Sequence, residues 1–307
     1  MNNKLPLPII LDGGMGRELL RIGAPFGQPE WSALALMQAP QYVLQAHQNY
    51  IQAGAQVITT NTYAIVPFHI GQQRFTDQGA GLVQQAAQLA KSAAKQAAGV
   101  QVAGCLPPVL GSYRADLFDA EQAEPLLDVL ITHQRDEVDF WLAETISSVA
   151  EAQLIKKMTA STGKDCWIAL TISDDKTAEA YLRSGESVFD AVTSIAGENV
   201  TAVLFNCSSA DVMEVAVGDA KRAIVAMGFD QQIQIGVYAN SFTPFADDHE
   251  ANAEVTALRA DLTPENYCQL AQSWIAAGAS IIGGCCGITP AHIAQLSHHK
   301  AQIAEQK

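Results

Sequence analysis

Six cysteines are scattered through 307 residues, at positions 105, 166, 207, 268, 285 and 286, unlike the dense frameworks of small secreted disulfide domains. In a reducing compartment they are expected as thiols. Three stand where chemistry is plausible. Cys207 follows an apolar run that ends at Asn206, and Cys285 and Cys286 are adjacent in Gly283-Gly284-Cys285-Cys286-Gly287. Thiolates select zinc or softer ions over magnesium and calcium. Three protein ligands with an open fourth position make the catalytic form of a zinc site, whereas a structural site closes with four. Neighbouring residues of a regular strand point to opposite faces, so Cys285 and Cys286 share a metal only where the strand breaks. Gly283, Gly284 and Gly287 supply the backbone freedom for that. Spacing alone leaves a second reading open, in which the three are ordinary buried cysteines and the adjacent pair an accident or a vicinal disulfide. Cys166, opening an apolar run, and Cys268, inside a helical pattern, are packing residues. Cys105 is core or pocket wall.

The elements that would position these sulfurs follow a βα rhythm along the whole chain. Apolar runs over Pro8 to Asp12, Val57 to Thr60, Val100 to Gly104, Asp139 to Glu144, Trp167 to Ile172, Ala202 to Asn206, Gln234 to Tyr238 and Ser280 to Gly283 read as strands. Helical patterns run over Pro40 to Ala53, Gly81 to Ala98, Ala123 to Val138, Ser148 to Ala160, Val188 to Ala196, Ala210 to Met227 and Pro264 to Ala277. Thr263 before Pro264 and Thr289 before Pro290 have the form of N-caps with proline at the first helical position. The acidic, Ala-rich stretch from Phe242 to Asp261 reads as a long loop. Eight strands in one unbroken chain predict a single-domain α/β fold over 1–307, a (β/α)8 TIM barrel, with an open doubly wound sheet as the alternative.

In either architecture ligands gather at the carboxyl ends of the strands. Asp12-Gly13-Gly14, Asn61-Thr62-Tyr63, Glu144-Thr145, Asn206-Cys207 and Gly284-Cys285-Cys286 all fall there. Lys and Arg total 18 against 32 Asp and Glu, a net charge of −14. That balance repels phosphate backbones and anionic membrane surfaces, so the expected partners are small molecules, with neither nucleic acid nor membrane among them. The apolar run from Leu5 to Leu11 is too brief for a signal segment or a span. A cytoplasmic protein is expected, with room left for a homo-oligomer.

The segment Gly283 to Ile293, with Phe205-Asn206-Cys207-Ser208 upstream, resembles the signature of the homocysteine S-methyltransferase family. So do Leu11 to Leu19, Trp31-Ser32, Ala53-Gly54-Ala55, Thr60 to Tyr63 and Glu144-Thr145, in the family's order from about residue 8 to 295. The resemblance implies a (β/α)8 barrel, catalytic zinc on Cys207, Cys285 and Cys286, and methyl transfer to homocysteine, giving methionine. It also implies that Glu144 pairs the substrate ammonium and that backbone N–H groups around Asp12, Gly13 and Gly14 take its carboxylate. A sulfonium donor such as S-methylmethionine suits the family, and Trp31, Tyr63 and Tyr238 offer aromatic faces to such a cation. Folate and cobalamin modules have no room in this length. The chain departs from common family wording at Gly104-Cys105-Leu106-Pro107-Pro108 and at Tyr238-Ala239-Asn240, both facing the expected pocket. Other readings are methyl transfer to another small thiol or selenol, a non-catalytic zinc or redox sensor, and a metal-free barrel enzyme. His292 is expected to pack rather than ligate, and Asn240 to stabilise a turn.

Overall fold

Each apolar run becomes a parallel strand in a computed structural model that describes residues 7–243 and 257–305. The strands are β1 (Ile9–Ile10), β2 (Val57–Thr59), β3 (Gln101–Leu106), β4 (Phe140–Ile146), β5 (Cys166–Leu170), β6 (Val200–Ser209), β7 (Gln234–Asn240) and β8 (Ile281–Ile282). Their order in the sheet is β1-β8-β7-β6-β5-β4-β3-β2. The two ends of that order meet. Leu11 bridges Val57, the Asp12 N–H donates to the Val57 carbonyl at 3.0 Å, and the Gln56 N–H donates to the Ile10 carbonyl at 2.7 Å. The sheet therefore closes as the expected (β/α)8 barrel, and the open doubly wound alternative falls away.

Eleven α-helices occupy the described residues: α1 (Met15–Arg21), α2 (Ser32–Gln38), α3 (Pro40–Gln52), α4 (Pro67–Ile70), α5 (Gln72–Ala94), α6 (Ala120–Gln134), α7 (Val149–Ala160), α8 (Val188–Ile195), α9 (Met213–Ala226), α10 (Pro264–Ala277) and α11 (Pro290–Glu305). The seven predicted helices are all present. α5 starts at Gln72 instead of Gly81, because its first turns are largely polar and carry little apolar periodicity. The short α2 and α4 were not expected, since four to seven residues are too few to show a period. The Thr263 hydroxyl accepts the Asn266 N–H as the predicted cap of α10.

Two apolar layers result. Leu11, Leu142, Trp167, Leu204 and Ile281 point into the barrel and fill it. Residues on the other strand faces, such as Trp141, Phe205 and Val237, pack under the helices with Tyr50, Leu36 and Trp274. Strands buried on both sides need apolar residues throughout, which is why they read as continuous runs. Of the loop expected over Phe242 to Asp261, residues 244–256 lie outside those described. Its flanks meet where Phe242 bridges Leu258. Among the described residues no helix is long and apolar enough to cross a membrane.

Candidate active site

The sulfurs of Cys207, Cys285 and Cys286 lie within 4.8 Å of one another at the carboxyl rim. β8 stops at Ile282, so Cys285 and Cys286 sit in a turn closed by the Ile288 N–H donating to the Cys285 carbonyl at 3.0 Å. The strand break needed for both sulfurs to face one point is thus present. Only Gly287 uses left-handed backbone (φ 85°). Gly14 is required for space instead: a Cβ there would stand 2.6 Å from the Cys285 carbonyl oxygen. Two buried tyrosines hold this turn from behind. The Tyr50 hydroxyl, on α3, donates to the Ile288 carbonyl at 3.0 Å, and that of Tyr267, on α10, donates to the Gly283 carbonyl at 2.7 Å.

Cys207 and Cys285, with Cα atoms 5.7 Å apart, are in disulfide contact, and Cys286 is a free thiol. This corrects the expectation of six thiols. Residues close enough to share one ion are also close enough to oxidise, since disulfide Cα separations run from about 4.4 to 6.8 Å. Disulfide and metal are alternative occupants, because the ion needs both sulfurs as thiolates. Burial pushes the Cys286 thiol up to about 11, with the Arg17 charge acting the other way. A soft divalent cation fits this donor set, displacing the protons that burial retains. Among the described residues no fourth His, Cys, Asp or Glu joins the cluster. Cys105, Cys166 and Cys268 are buried apart from it. His292 packs, as expected: its Nδ1 accepts the Thr289 N–H, so Nε2 carries the proton donated to the Leu262 carbonyl at 3.0 Å.

Two strands bulge where site residues occur. The β4–β5 register shifts between Ala143 and Ile146, and the β6–β7 register between Asn206 and Ser209. Within these bulges Thr145 (φ 60°) and Cys207 (φ 51°) adopt left-handed backbone, which costs energy outside glycine. Asn206 braces both. Its Oδ1 accepts the Thr145 N–H and its Nδ2 donates to Thr145 Oγ1, each at 3.0 Å.

One cavity is lined by all the sequence-predicted residues together: Asp12, Gly13, Gly14, Trp31, Tyr63, Glu144, Cys207, Tyr238, Cys285 and Cys286. Asp12 accepts the Thr59 N–H at 2.8 Å, yet burial and the neighbouring Glu144 raise its pKa to about 8. Burial also raises the Glu144 carboxyl, with the neighbouring Cys105 and Tyr238 acting the other way. The Asp12 and Gly14 N–H groups are already committed, to the Val57 and Ile288 carbonyls at 3.0 Å each. That narrows the expected carboxylate contact to the Gly13 N–H. The indole Nε1 of Trp31 is buried and finds no acceptor among the described residues. Tyr63 shares a hydrogen bond with Ser112 at 2.8 Å.

Sequence reasoning missed several lining residues. Tyr113, in the loop after β3, has its ring 4.8 Å from the Arg183 guanidinium, itself paired with Asp174 at 3.5 Å. Arg17, His69 and Phe242 also line the cavity. None lies directly after a strand, so the rule that found the others passes over them.

Residues 9–299 match the family model described as homocysteine S-methyltransferase. The chain belongs to the homocysteine S-methyltransferase family. The Escherichia coli (strain K12) homocysteine S-methyltransferase is 28% identical, with 94% of each chain covered. A selenocysteine methyltransferase of Astragalus bisulcatus is 26% identical over 92% of this chain and 89% of that protein. Among solved structures, the metallated form of the Escherichia coli homocysteine methyltransferase MmuM matches with a TM-score of 0.75 and 26% identity, covering 96% of both chains.

Proposed function

We propose that the protein transfers a methyl group from a sulfonium donor to the thiol of L-homocysteine, forming methionine, with a zinc ion held by Cys207, Cys285 and Cys286. The observation that carries this reading is the convergence of three sulfurs and two buried acids, Asp12 and Glu144, on one cavity. Bound there, zinc supplies a way to keep an incoming thiol as the nucleophilic thiolate near neutral pH. The chain's own residues do the rest. Asp12 and Glu144 hold the homocysteine ammonium, and the Gly13 N–H meets its carboxylate, which fixes the direction of the acceptor side chain. Trp31, Tyr63 and Tyr238 present aromatic surface to the donor cation. Positioning brings the donor methyl to about 3–3.5 Å from the acceptor sulfur. One carbon–sulfur bond forms as another breaks, the donor leaves as a neutral thioether, and the thiol proton passes to solvent.

A site built only for sensing would close with a fourth protein ligand. The three-residue cluster favours an open position for substrate. The whole chain acts in this reading as one catalytic unit, in the cytoplasm, on small molecules. The test is to incubate reduced, zinc-loaded protein with homocysteine and a panel of methyl donors, reading methionine by mass. Methionine from a sulfonium is expected. Zinc-bound protein that yields none from any donor would contradict the proposal. Selenocysteine in a parallel incubation tests whether a selenol serves as acceptor, the activity named for one relative.

A further inference from the structure

Among the described residues, Arg183 and Asp174 form the only ion pair whose side chains are both almost wholly out of solvent, 8% and 5% exposed. Two charges taken out of water need further contacts to hold them there. Arg183, in the loop between β5 and α8, donates from Nε to Thr171 Oγ1 at 3.2 Å and pairs with Asp174 at 3.5 Å. Asp174 Oδ1 accepts the Ser209 N–H at 2.6 Å, and the Thr171 and Ser208 hydroxyls share a hydrogen bond at 3.1 Å. Both partners of the arginine are thereby fastened to β6 directly after Cys207. Asp174 also cancels the arginine charge, so the pair leaves no net charge beside the cavity.

The guanidinium lies over the ring of Tyr113, 4.8 Å from its centroid, a cation–π contact out of water and therefore of the stronger kind. Tyr113 lines the cavity, whereas Arg183 does not. The Tyr113 backbone is left-handed (φ 65°), which is strained for a residue with a Cβ and persists only where surrounding contacts hold it. The residue before it, Ser112, is buried and shares the hydrogen bond that holds Tyr63 at 2.8 Å. Two rings of the wall are thus held through adjacent residues of one loop, and the second is tied through Arg183 to the strand that carries Cys207. We propose that Arg183 is a positioning residue that fixes the Tyr113 ring relative to Cys207, so that the donor meets a wall already in place. This rests on the methyl-transfer reading above, in which Tyr63 faces the donor. A wall set before binding reduces the ordering that binding itself requires, so the effect falls on donor affinity.

The test is a double-mutant cycle on reduced, zinc-loaded protein with S-methylmethionine and deuterated homocysteine, so that methionine made from the acceptor is distinguished by mass. Arg183→Met is expected to raise the donor KM by about 5- to 30-fold. The value of kcat, the homocysteine KM and the zinc content stay within about twofold of wild type. Arg183→Lys, which keeps the charge and loses the planar face, lies between. In a Tyr113→Leu background the same arginine change moves the donor KM by less than about twofold, because the ring it acts through is gone. An arginine that only stabilised its loop would act alike in both backgrounds, and equal effects overturn the proposal. Should Arg183→Met fold poorly because Asp174 is left unpaired, adding Asp174→Asn removes both charges, and that variant takes its place. A second readout needs no turnover. In protein labelled with fluorotyrosine, the fluorine NMR resonance of Tyr113, identified by its loss in Tyr113→Phe, shifts and broadens in Arg183→Met. An unchanged resonance overturns the positioning role. If the wild type makes no methionine while that resonance moves, the methyl-transfer reading fails and the donor role with it, and Arg183 remains the residue that holds the ring.

Discussion

Asp12 shows how burial becomes a measurable pH dependence. Its pKa is raised to about 8, first by desolvation and then by Glu144. Below that pH the free protein holds the proton, whereas an incoming ammonium needs the carboxylate. Acceptor binding should therefore strengthen from pH 6 to 8. The ratio of kcat/KM for homocysteine between wild type and Asp12→Asn is expected to grow over that range, to about 10- to 100-fold at pH 8. A ratio independent of pH would contradict the role. Stability moves the opposite way: a raised folded pKa contributes below the ordinary value of 3.8 and is lost as pH rises through about 8. Asp12 and the three cysteines were legible in the sequence because each ends or directly follows an apolar run or stands in the glycine-rich turn after one. The commitment of the Gly14 N–H to Ile288 was not legible, because it depends on a turn far away in sequence.

Bulges, caps and short helices decide how those side chains are presented. The Asn206 amide pins the bulges of β4 and β6 to each other, so Asn206→Ala leaves the buried Thr145 N–H without its acceptor. We expect a loss of about 1–3 kcal/mol in urea unfolding, with a fall in kcat/KM from the loosened Cys207 and Glu144. A second prediction concerns the start of α7, where Ser148 accepts the Glu151 N–H and Glu151 accepts the Ser147 N–H at 3.1 Å, a capping box shifted by one residue. Burial raises the Glu151 carboxyl from 4.5 to about 7. Its folded-state advantage is therefore full below pH 4.5 and lost as pH rises through about 7. Glu151→Gln should gain stability relative to wild type between pH 5 and pH 8, by up to about 3 kcal/mol, read as the difference in unfolding free energy. The βα rhythm was legible because strands buried on both faces are continuous apolar runs. The bulges were not, since they depend on the neighbouring strand, and α2 and α4 are too short to carry a period.

Closure of the barrel gives the separate segments a common function. The bridge from Leu11 to Val57 brings Asp12 beside β2, and the Asp12 carbonyl accepts the Gly284 N–H at 2.9 Å, joining the acid's loop to the cysteine turn. The Asp12 loop and the cysteine turn are thus parts of one hydrogen-bonded rim assembled from segments far apart in sequence. The net charge of −14 suits a protein that works on small molecules. The most direct test is a zinc titration. Protein is stripped by chelator under reducing conditions, zinc is added back in steps, and methionine is measured with homocysteine and a sulfonium donor. Activity should rise in proportion to zinc and saturate at about one ion per chain, as three ligands and one open position require, with neither zinc retention nor activity in the Cys285→Ala, Cys286→Ala double variant. Full turnover by the metal-free protein, or stoichiometric zinc retained by that double variant, would contradict the account.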